Sequence, residues 1–151
     1  MRDIRALIGL PVIVNGKRAG RVIQAEISDD LTEMTGLWIS SGFFGTRFIS
    51  ADCLGTLGNV SIIADQSGER KRCRTSALFR RAIGSDGSRW GAVVGARIDE
   101  LSFHIDALEI SYGLWDDLVT GRRYIRRFSL NQDNRDVIID VSEMEEEVSV
   151  R

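Results

Sequence analysis

The feature that most constrains the fold of this chain is an internal repeat. Shifted by 71 residues, the sequence aligns with itself without gaps over about forty positions. The matched pairs include Leu7 with Leu78, Gly16 with Gly87, Gly20 with Gly91, Leu37 with Leu108 and Ile39 with Ile110. The offset then becomes 76, so that Phe48-Ile49 aligns with Tyr124-Ile125. The chain is therefore expected to contain two copies of one small unit, the second with five additional residues between its third and fourth strands.

Each copy has the sequence pattern of short β-strands. Asn15-Gly16 and Asp86-Gly87 follow apolar runs, and such pairs are typical of hairpin turns because both residues tolerate positive φ. The next strand alternates, which predicts Ile23, Ala25 and Ile27 on the inward face. Further strands are expected near Met34–Ser41 and Ile105–Tyr112, near Thr46–Ser50 and Arg122–Phe128, and near Val60–Ala64 and Asp136–Val141. Only Arg5–Leu10 and Thr75–Ala82 are suited to helical turns.

These patterns predict an all-β protein with two small barrels in tandem, since closure removes exposed sheet edges. We expect the first barrel domain over residues 1–68, a basic linker over 69–75, the second barrel over 76–142 and an acidic tail over 143–151. The repeated aliphatic residues are expected to form the cores: Ile27, Leu37, Ile39, Ile62, Ile98, Leu108, Ile110 and Ile138.

Several segments together resemble a PRC-barrel domain. They are Leu7–Val12, Gly16–Val22, the acidic pair Asp29-Asp30, Gly36–Ile39 and Arg47–Ile49, and the second copy repeats them from Leu78 to Ile139. The resemblance implies a tandem pair of PRC barrels. Such domains occur in the H subunit of photosynthetic reaction centres and in a ribosome maturation factor, where the barrel is a binding platform. A common fold does not by itself transfer a function.

The composition and charge of the chain do not indicate a nucleic-acid-binding, membrane or secreted protein. Twenty basic and twenty-two acidic residues leave a net charge of -2, so the whole chain has no electrostatic preference for nucleic acid or anionic lipid. No apolar run approaches the roughly 18–20 residues that span a bilayer. The first residues have no long apolar segment after their charges, unlike a secretory signal. We therefore expect a cytoplasmic protein without membrane insertion.

The residues that usually carry chemistry are sparse. His104 is the one histidine and aligns with Glu33, while Cys53 and Cys73 lack the spacing of a zinc site or disulfide framework. Nucleotide-binding glycine motifs and the motifs of metalloproteases and serine hydrolases are missing from the sequence. We therefore predict a protein that is not an enzyme, with no catalytic residues, no metal and no cofactor.

Two basic runs have two interpretations. The first comprises Arg70, Lys71, Arg72 and Arg74, and the second comprises Arg122, Arg123, Arg126 and Arg127. They could form one surface that contacts RNA or an acidic protein. The other interpretation is a solvated linker, whose charge is balanced by the glutamates of the acidic tail. The scarcity of aromatic residues among the arginines, which base stacking requires, favours this second interpretation.

Large apolar residues recur in the loop between the third and fourth strands. The first copy has Phe43 and Phe44 there, and the second has Leu114 and Trp115. Such residues either pack on their own barrels or contact another protein. Trp38 lies between the inward Leu37 and Ile39, so period two predicts that it faces outward.

Taken together, the sequence predicts a non-enzymatic interaction module that binds another protein through barrel surfaces and aromatic loops. Self-association through the same residues stays open. The alternative is an RNA- or ribosome-associated factor that uses the basic linker and the arginines of the fourth strand of the second copy. Salt separates the two, because phosphate contacts weaken steeply with ionic strength whereas apolar anchors do not.

Overall fold

A computed structural model describes residues 1–113, 117–119 and 121–142, and the fold is mostly β with few helical turns, as predicted. Two curled sheets form the two small barrels. The chain divides into two compact units. The first unit contains Met1–Ala77 together with Arg97–Ile105, and the second unit contains Leu78–Ala96 and the chain from Asp106 onward.

The first unit is built on a seven-stranded sheet in the order β6-β7-β2-β3-β4-β5-β8. The unit contains β1 (Arg2–Asp3), which lies outside this sheet and pairs with Arg97 and Ile98. The seven strands of the sheet are β2 (Pro11–Val14), β3 (Lys17–Ile27), β4 (Met34–Ser40), β5 (Thr46–Ser50), β6 (Leu54–Leu57), β7 (Ile62–Ala64) and β8 (Glu69–Arg70). Short 3-10 turns cover Ile4–Leu7, Gly42–Phe44 and Ala51–Cys53. The strands β2 and β7 are parallel, and the other pairs of this sheet are antiparallel. Residues 69 and 70, the start of the predicted linker, thus form an edge strand of this sheet.

The second sheet has the order β12-β11-β10-β9-β14-β13. Its strands are β9 (Arg81–Gly84), β10 (Arg89–Ile98), β11 (Ile105–Ser111), β12 (Arg123–Ile125), β13 (Phe128–Leu130) and β14 (Val137–Ile139). The pair β9 and β14 is parallel, as β2 and β7 are in the first unit. The predicted fourth strand over Arg122–Phe128 is therefore divided between β12 and β13.

The tips of two equivalent hairpins pair inside the first unit. Met34 N donates to Phe103 O at 2.9 Å, and Ile105 N donates to Thr32 O at 2.8 Å. Glu33 and His104 form the bridge between these two bonds. Glu33 and His104 are equivalent positions, 71 residues apart, and the two hydrogen bonds lie symmetrically on either side of them. Residues 97–105, which belong to the second copy by sequence, therefore complete the structure of the first.

The repeated aliphatic residues form the cores, with one exception. Ile27, Leu37, Ile39, Ile62, Ile98, Leu108 and Ile110 are buried as predicted. Ile138 is only half-buried, whereas its neighbours Val137 and Ile139 are buried. The prediction for Ile138 was wrong because the offset is 70 in β9 and 75 in β14: the buried pair Val12 and Ile62 corresponds to the buried pair Ala82 and Val137. A shift of one residue places a strand side chain on the opposite face.

Local irregularities explain three further differences from the sequence prediction. Ile23 is exposed, not inward, because a bulge between Val22 and Gln24 changes the alternation in β3. The turn between β9 and β10 has one residue more than its counterpart, since Ile13 pairs with Arg18 but Ile83 pairs with Arg89. Residues 75–82 form an irregular segment with a turn and the start of β9, without the predicted helical turn. As predicted, the five additional residues lie between β11 and β12.

Candidate interaction surfaces

The loop between β4 and β5 exposes Phe43 completely. Ser41 N donates to Gly45 O at 2.9 Å, and Gly45 N donates to Gly42 O at 3.3 Å. Gly42 and Gly45 have φ values of 66° and 79°, which a residue with a Cβ adopts at a cost. This closed 3-10 turn leaves the Phe43 side chain with a relative exposure of 107%. A large ring held in water by the backbone of its own loop is available to a partner.

The first basic run lies beside this ring because its backbone follows β5. Arg70 of β8 pairs with Arg47, Lys71 N donates to Thr46 O at 3.3 Å, and the Thr46 hydroxyl donates to Lys71 O. Phe43, Gly45, Thr46, Arg70, Lys71 and Arg72 consequently line one shallow pocket of about 430 Å³, which we call the Phe43 pocket. The aromatic loop and the first basic run, which sequence analysis identified separately, therefore form one surface.

Lys71, one of the cations of the Phe43 pocket, makes two weak contacts within its own unit. Lys71 Nζ lies 3.0 Å from a Glu69 carboxylate oxygen, but both side chains are exposed, and such pairs contribute little. The Lys71 ammonium also lies 5.8 Å from the centre of the Phe48 ring. Arg74, the last member of this run, does not line the pocket; its carbonyl accepts a bond from Gln24 Nε2 at 2.9 Å. The pocket is thus a basic rim around one exposed aromatic ring.

The second basic run is engaged within the second unit. Arg122 pairs with Glu109 at 3.3 Å and with Asp117 at 3.4 Å. Arg126 pairs with Asp106 at 3.4 Å. The guanidinium of Arg123 lies 5.9 Å from the centre of the Trp90 ring and 5.1 Å from that of Tyr112. Arg127, the fourth member, is exposed. These contacts favour a structural role for most of this run.

The prediction that Trp38 faces outward was wrong. Its relative exposure is 3%; its Nε1 donates to the Glu26 carboxylate, and its ring centre lies 4.9 Å from that of Phe48. Both faces of β4 are buried, so the continuous apolar run Leu37-Trp38-Ile39 was the signal for a two-sided burial. Trp38 therefore belongs to the interior of the first unit. Leu114, Trp115 and the side chain of Phe44 lie outside the part of the chain that the structure describes.

A larger groove in the first unit was not predicted. It has a volume of about 650 Å³ and is lined by Ile8, Gly9, Arg18, Ala19, Gly20, Arg21, Val22, Ile23, Ser40, Ser41 and Gly42. Ile8 and Ile23 form apolar walls, with relative exposures of 53% and 37%. The bulge in β3 turns Ile23 to this side, and bulges leave no clear signal in an apolar pattern. We call this site the β3 groove.

The side chains that could carry chemistry are dispersed. Among the described residues, no three His, Cys, Asp or Glu side chains are grouped to hold a metal ion. His104 is exposed at the paired hairpin tips, and Cys53 and Cys73 are free thiols. Burial, with a smaller contribution from the Glu26 carboxylate, raises the pKa of the Cys73 thiol, which makes that thiol a poorer nucleophile.

Comparison with known proteins gives no further assignment. The chain matches no model of a protein family, and a search of curated proteins finds no relative. Within the described ranges, no helix is long and apolar enough to cross a bilayer. The surfaces of the two units are therefore what points to a function.

Proposed function

We propose that this chain is a non-enzymatic interaction module, built from two PRC-barrel-like repeats, that binds another protein through the Phe43 pocket. The observation that carries the proposal is the fully exposed Phe43 ring beside three basic residues of the first run. The partner is expected to offer an acidic segment that contains at least one apolar side chain. The cytoplasm is the expected compartment.

The energetics of this surface favour an anchor with a charged rim. Burying a Phe side chain contributes about 1.5–3 kcal/mol, and aromatic anchors in contact with a pocket are common hot spots. Arg70, Lys71 and Arg72 would meet carboxylates of the partner at the edge of this contact. Rim charges mainly increase the association rate and select against partners of the wrong sign. The ring thus supplies affinity, and the cations supply selectivity.

RNA binding is the second candidate, and the same surface favours it in one respect. An aromatic ring among cations is the arrangement on which single-stranded bases stack. The second basic run weighs against this function, because Arg122, Arg123 and Arg126 interact with groups of their own unit. A site with one ring and three cations is small for a strand of nucleotides.

Fluorescence anisotropy with two labelled probes separates these functions. One probe is a 15-residue peptide of Asp and Glu with a central Leu-Phe pair, and the other is a 12-nucleotide oligouridine. The variant Phe43→Ser removes the ring, and Phe79→Ser is the matched control because Phe79 is also exposed but lies in the second unit. The triple variant Arg70→Gln, Lys71→Gln, Arg72→Gln removes the rim.

We expect the peptide to bind the full chain at 150 mM salt and to lose at least about tenfold in affinity on Phe43→Ser, which is about 1.4 kcal/mol. Phe79→Ser should leave the affinity unchanged, and the rim variant should mainly slow association. Tight oligouridine binding that depends on Phe43 would replace the proposed function with RNA recognition. Peptide binding that is insensitive to Phe43 would contradict the proposal.

A further inference from the structure

We infer that the β3 groove of the first unit is a binding site for a small aromatic carboxylate. This site is separate from the Phe43 pocket and does not depend on the proposed function. Its volume of about 650 Å³ lies within the range of pockets that hold small molecules. It has apolar walls, a cationic rim and a floor of close backbone, as the following observations show.

The corresponding positions of the second unit identify the shape of the ligand. Gly20 and Gly91 are equivalent: a Cβ at Gly20 would lie 2.5 Å from Ser40 O, and one at Gly91 would similarly clash with Ser111 O. By this register Ala19 corresponds to Trp90. In the second unit Trp90 fills its position with an indole ring.

A second pair of equivalent positions is Ser41 in the first unit and Tyr112 in the second unit. The Trp90 and Tyr112 rings lie 5.8 Å apart, with the Arg123 guanidinium over both. The first unit has the same close approach of strands at Gly20, although Gly91 has a φ of 112° and Gly20 does not have a positive φ. It has a methyl group and a hydroxymethyl group in place of two aromatic rings. A planar aromatic ligand would restore the contacts that the second unit makes with its own side chains.

The charge of the groove identifies the polar group of the ligand. Arg18 and Arg21 line it, and among the described residues its lining contains no carboxylate. Arg21 Nη1 donates to Gly9 O at 2.8 Å, which holds this guanidinium at the groove. Arg18 is exposed and makes no ion pair with any described residue. Guanidinium groups bind carboxylates in a bidentate manner, so a carboxylate on the aromatic ring is the expected partner.

Ser41 adds a further polar contact. Its hydroxyl is buried without a hydrogen-bond partner among the described residues. A buried hydroxyl in this condition is unfavourable, so a ligand oxygen within reach would satisfy it.

Isothermal titration of the full chain with 2-naphthoate tests the inference. The double variant Ala19→Trp, Ser41→Tyr copies the second unit and should abolish binding by filling the groove. The double variant Arg18→Gln, Arg21→Gln changes only exposed side chains, so it should stay folded and bind at least about tenfold more weakly. Circular dichroism of each variant checks that the fold is retained.

Two ligand controls distinguish ring from charge. Naphthalene-2-carboxamide lacks the charge, and cyclohexanecarboxylate lacks the aromatic ring; each should bind at least about tenfold more weakly than 2-naphthoate. Equal binding of either control would contradict the ligand class. Retained 2-naphthoate binding in a folded groove-filling variant, or in the arginine variant, would contradict the site. Absence of 2-naphthoate binding to the unmodified chain would overturn the inference and leave the Phe43 pocket unaffected.

Discussion

The β3 groove and the equivalent region of the second unit share a strand register and differ in their surfaces. In the first unit Ala19 and Ser41 leave a space of about 650 Å³. In the second unit Trp90 and Tyr112 occupy the corresponding positions, with Arg123 over their rings. The close approach of Gly20 and Gly91 to a neighbouring strand is retained in both. The two repeats therefore share the arrangement of their strands and differ in the side chains that cover this part of the surface.

The largest effect is expected where the two units are alike. Leu37 and Leu108 are equivalent and fully buried. Truncation of either, as Leu37→Ala or Leu108→Ala, should lower the free energy of unfolding by about 2–5 kcal/mol, because each leaves a cavity in a core. Urea unfolding measures both. A cost in one unit with none in the other would show that the shared framework does not extend to the cores.

The next largest effect is expected when the two aromatic rings of the second unit are removed. The double variant Trp90→Ala, Tyr112→Ser removes the ring pair and should cost about 1–3 kcal/mol of stability, since both side chains are only half-buried. Thermal unfolding measures this cost. If the rings fill what is otherwise a ligand site, the variant should also gain a second, weaker site for 2-naphthoate. It would be weaker because Arg21 corresponds to Ala92, which leaves Arg89 as the aligned cation.

A smaller effect is expected at the position where Trp38 corresponds to Glu109. Glu109 has a relative exposure of 2% and pairs with Arg122, whose side chain is partly exposed. Arg122→Ala should therefore cost about 1–2 kcal/mol, less than the loss of a partner in a fully buried pair. Urea unfolding of this variant and of Arg89→Ala, an exposed arginine of the same unit, gives the comparison. Equal, negligible costs would show that the buried carboxylate does not depend on Arg122.

The smallest effect concerns alkaline pH. Burial raises the pKa of the Tyr112 hydroxyl above its ordinary value of 10.0, and the nearby Arg123 partly opposes this shift. Because the pKa of Tyr112 is higher in the folded chain than in the unfolded chain, its neutral hydroxyl contributes fully to the free energy of unfolding below about pH 10. This contribution decreases as pH rises above that value. Tyrosinate absorbance at 295 nm should show Tyr112 titrating later than in the unfolded chain. Tyr112→Phe should remove this component and leave the signal of Tyr124.

The repeat and its periodicity predicted much of the fold. The glycines and aliphatic residues that a barrel needs recur at fixed offsets, which is why seven of the eight named core residues are buried. The exceptions involve changes of a single residue. Ile138 and Ile23 lie near an altered offset and a bulge, and an apolar pattern contains no record of either. Trp38 was placed outward because alternation assumes one buried face, whereas β4 is buried on both.

The candidate surfaces were less accessible to sequence reasoning. Phe43 and Arg70–Arg72 were each identified, but their proximity depends on the pairing of β8 with β5, a tertiary contact of two short edges. The β3 groove arises from small residues, Ala19 and Ser41, that attract no attention by themselves. Their small size indicates a groove only when they are aligned with the large residues Trp90 and Tyr112 of the second copy. Comparison of the repeats residue by residue is thus the signal that could have located this groove.

The pairing of the hairpin tips has a consequence for biosynthesis. Met34 bonds to Phe103 and Thr32 bonds to Ile105, and these partners follow about seventy residues later in the chain. During translation the first unit is incomplete until residue 105 has left the ribosome, although its own sheet ends at Arg70. Contacts between residues so distant in sequence slow folding. Completion of the first unit thus has to wait for the synthesis of part of the second repeat.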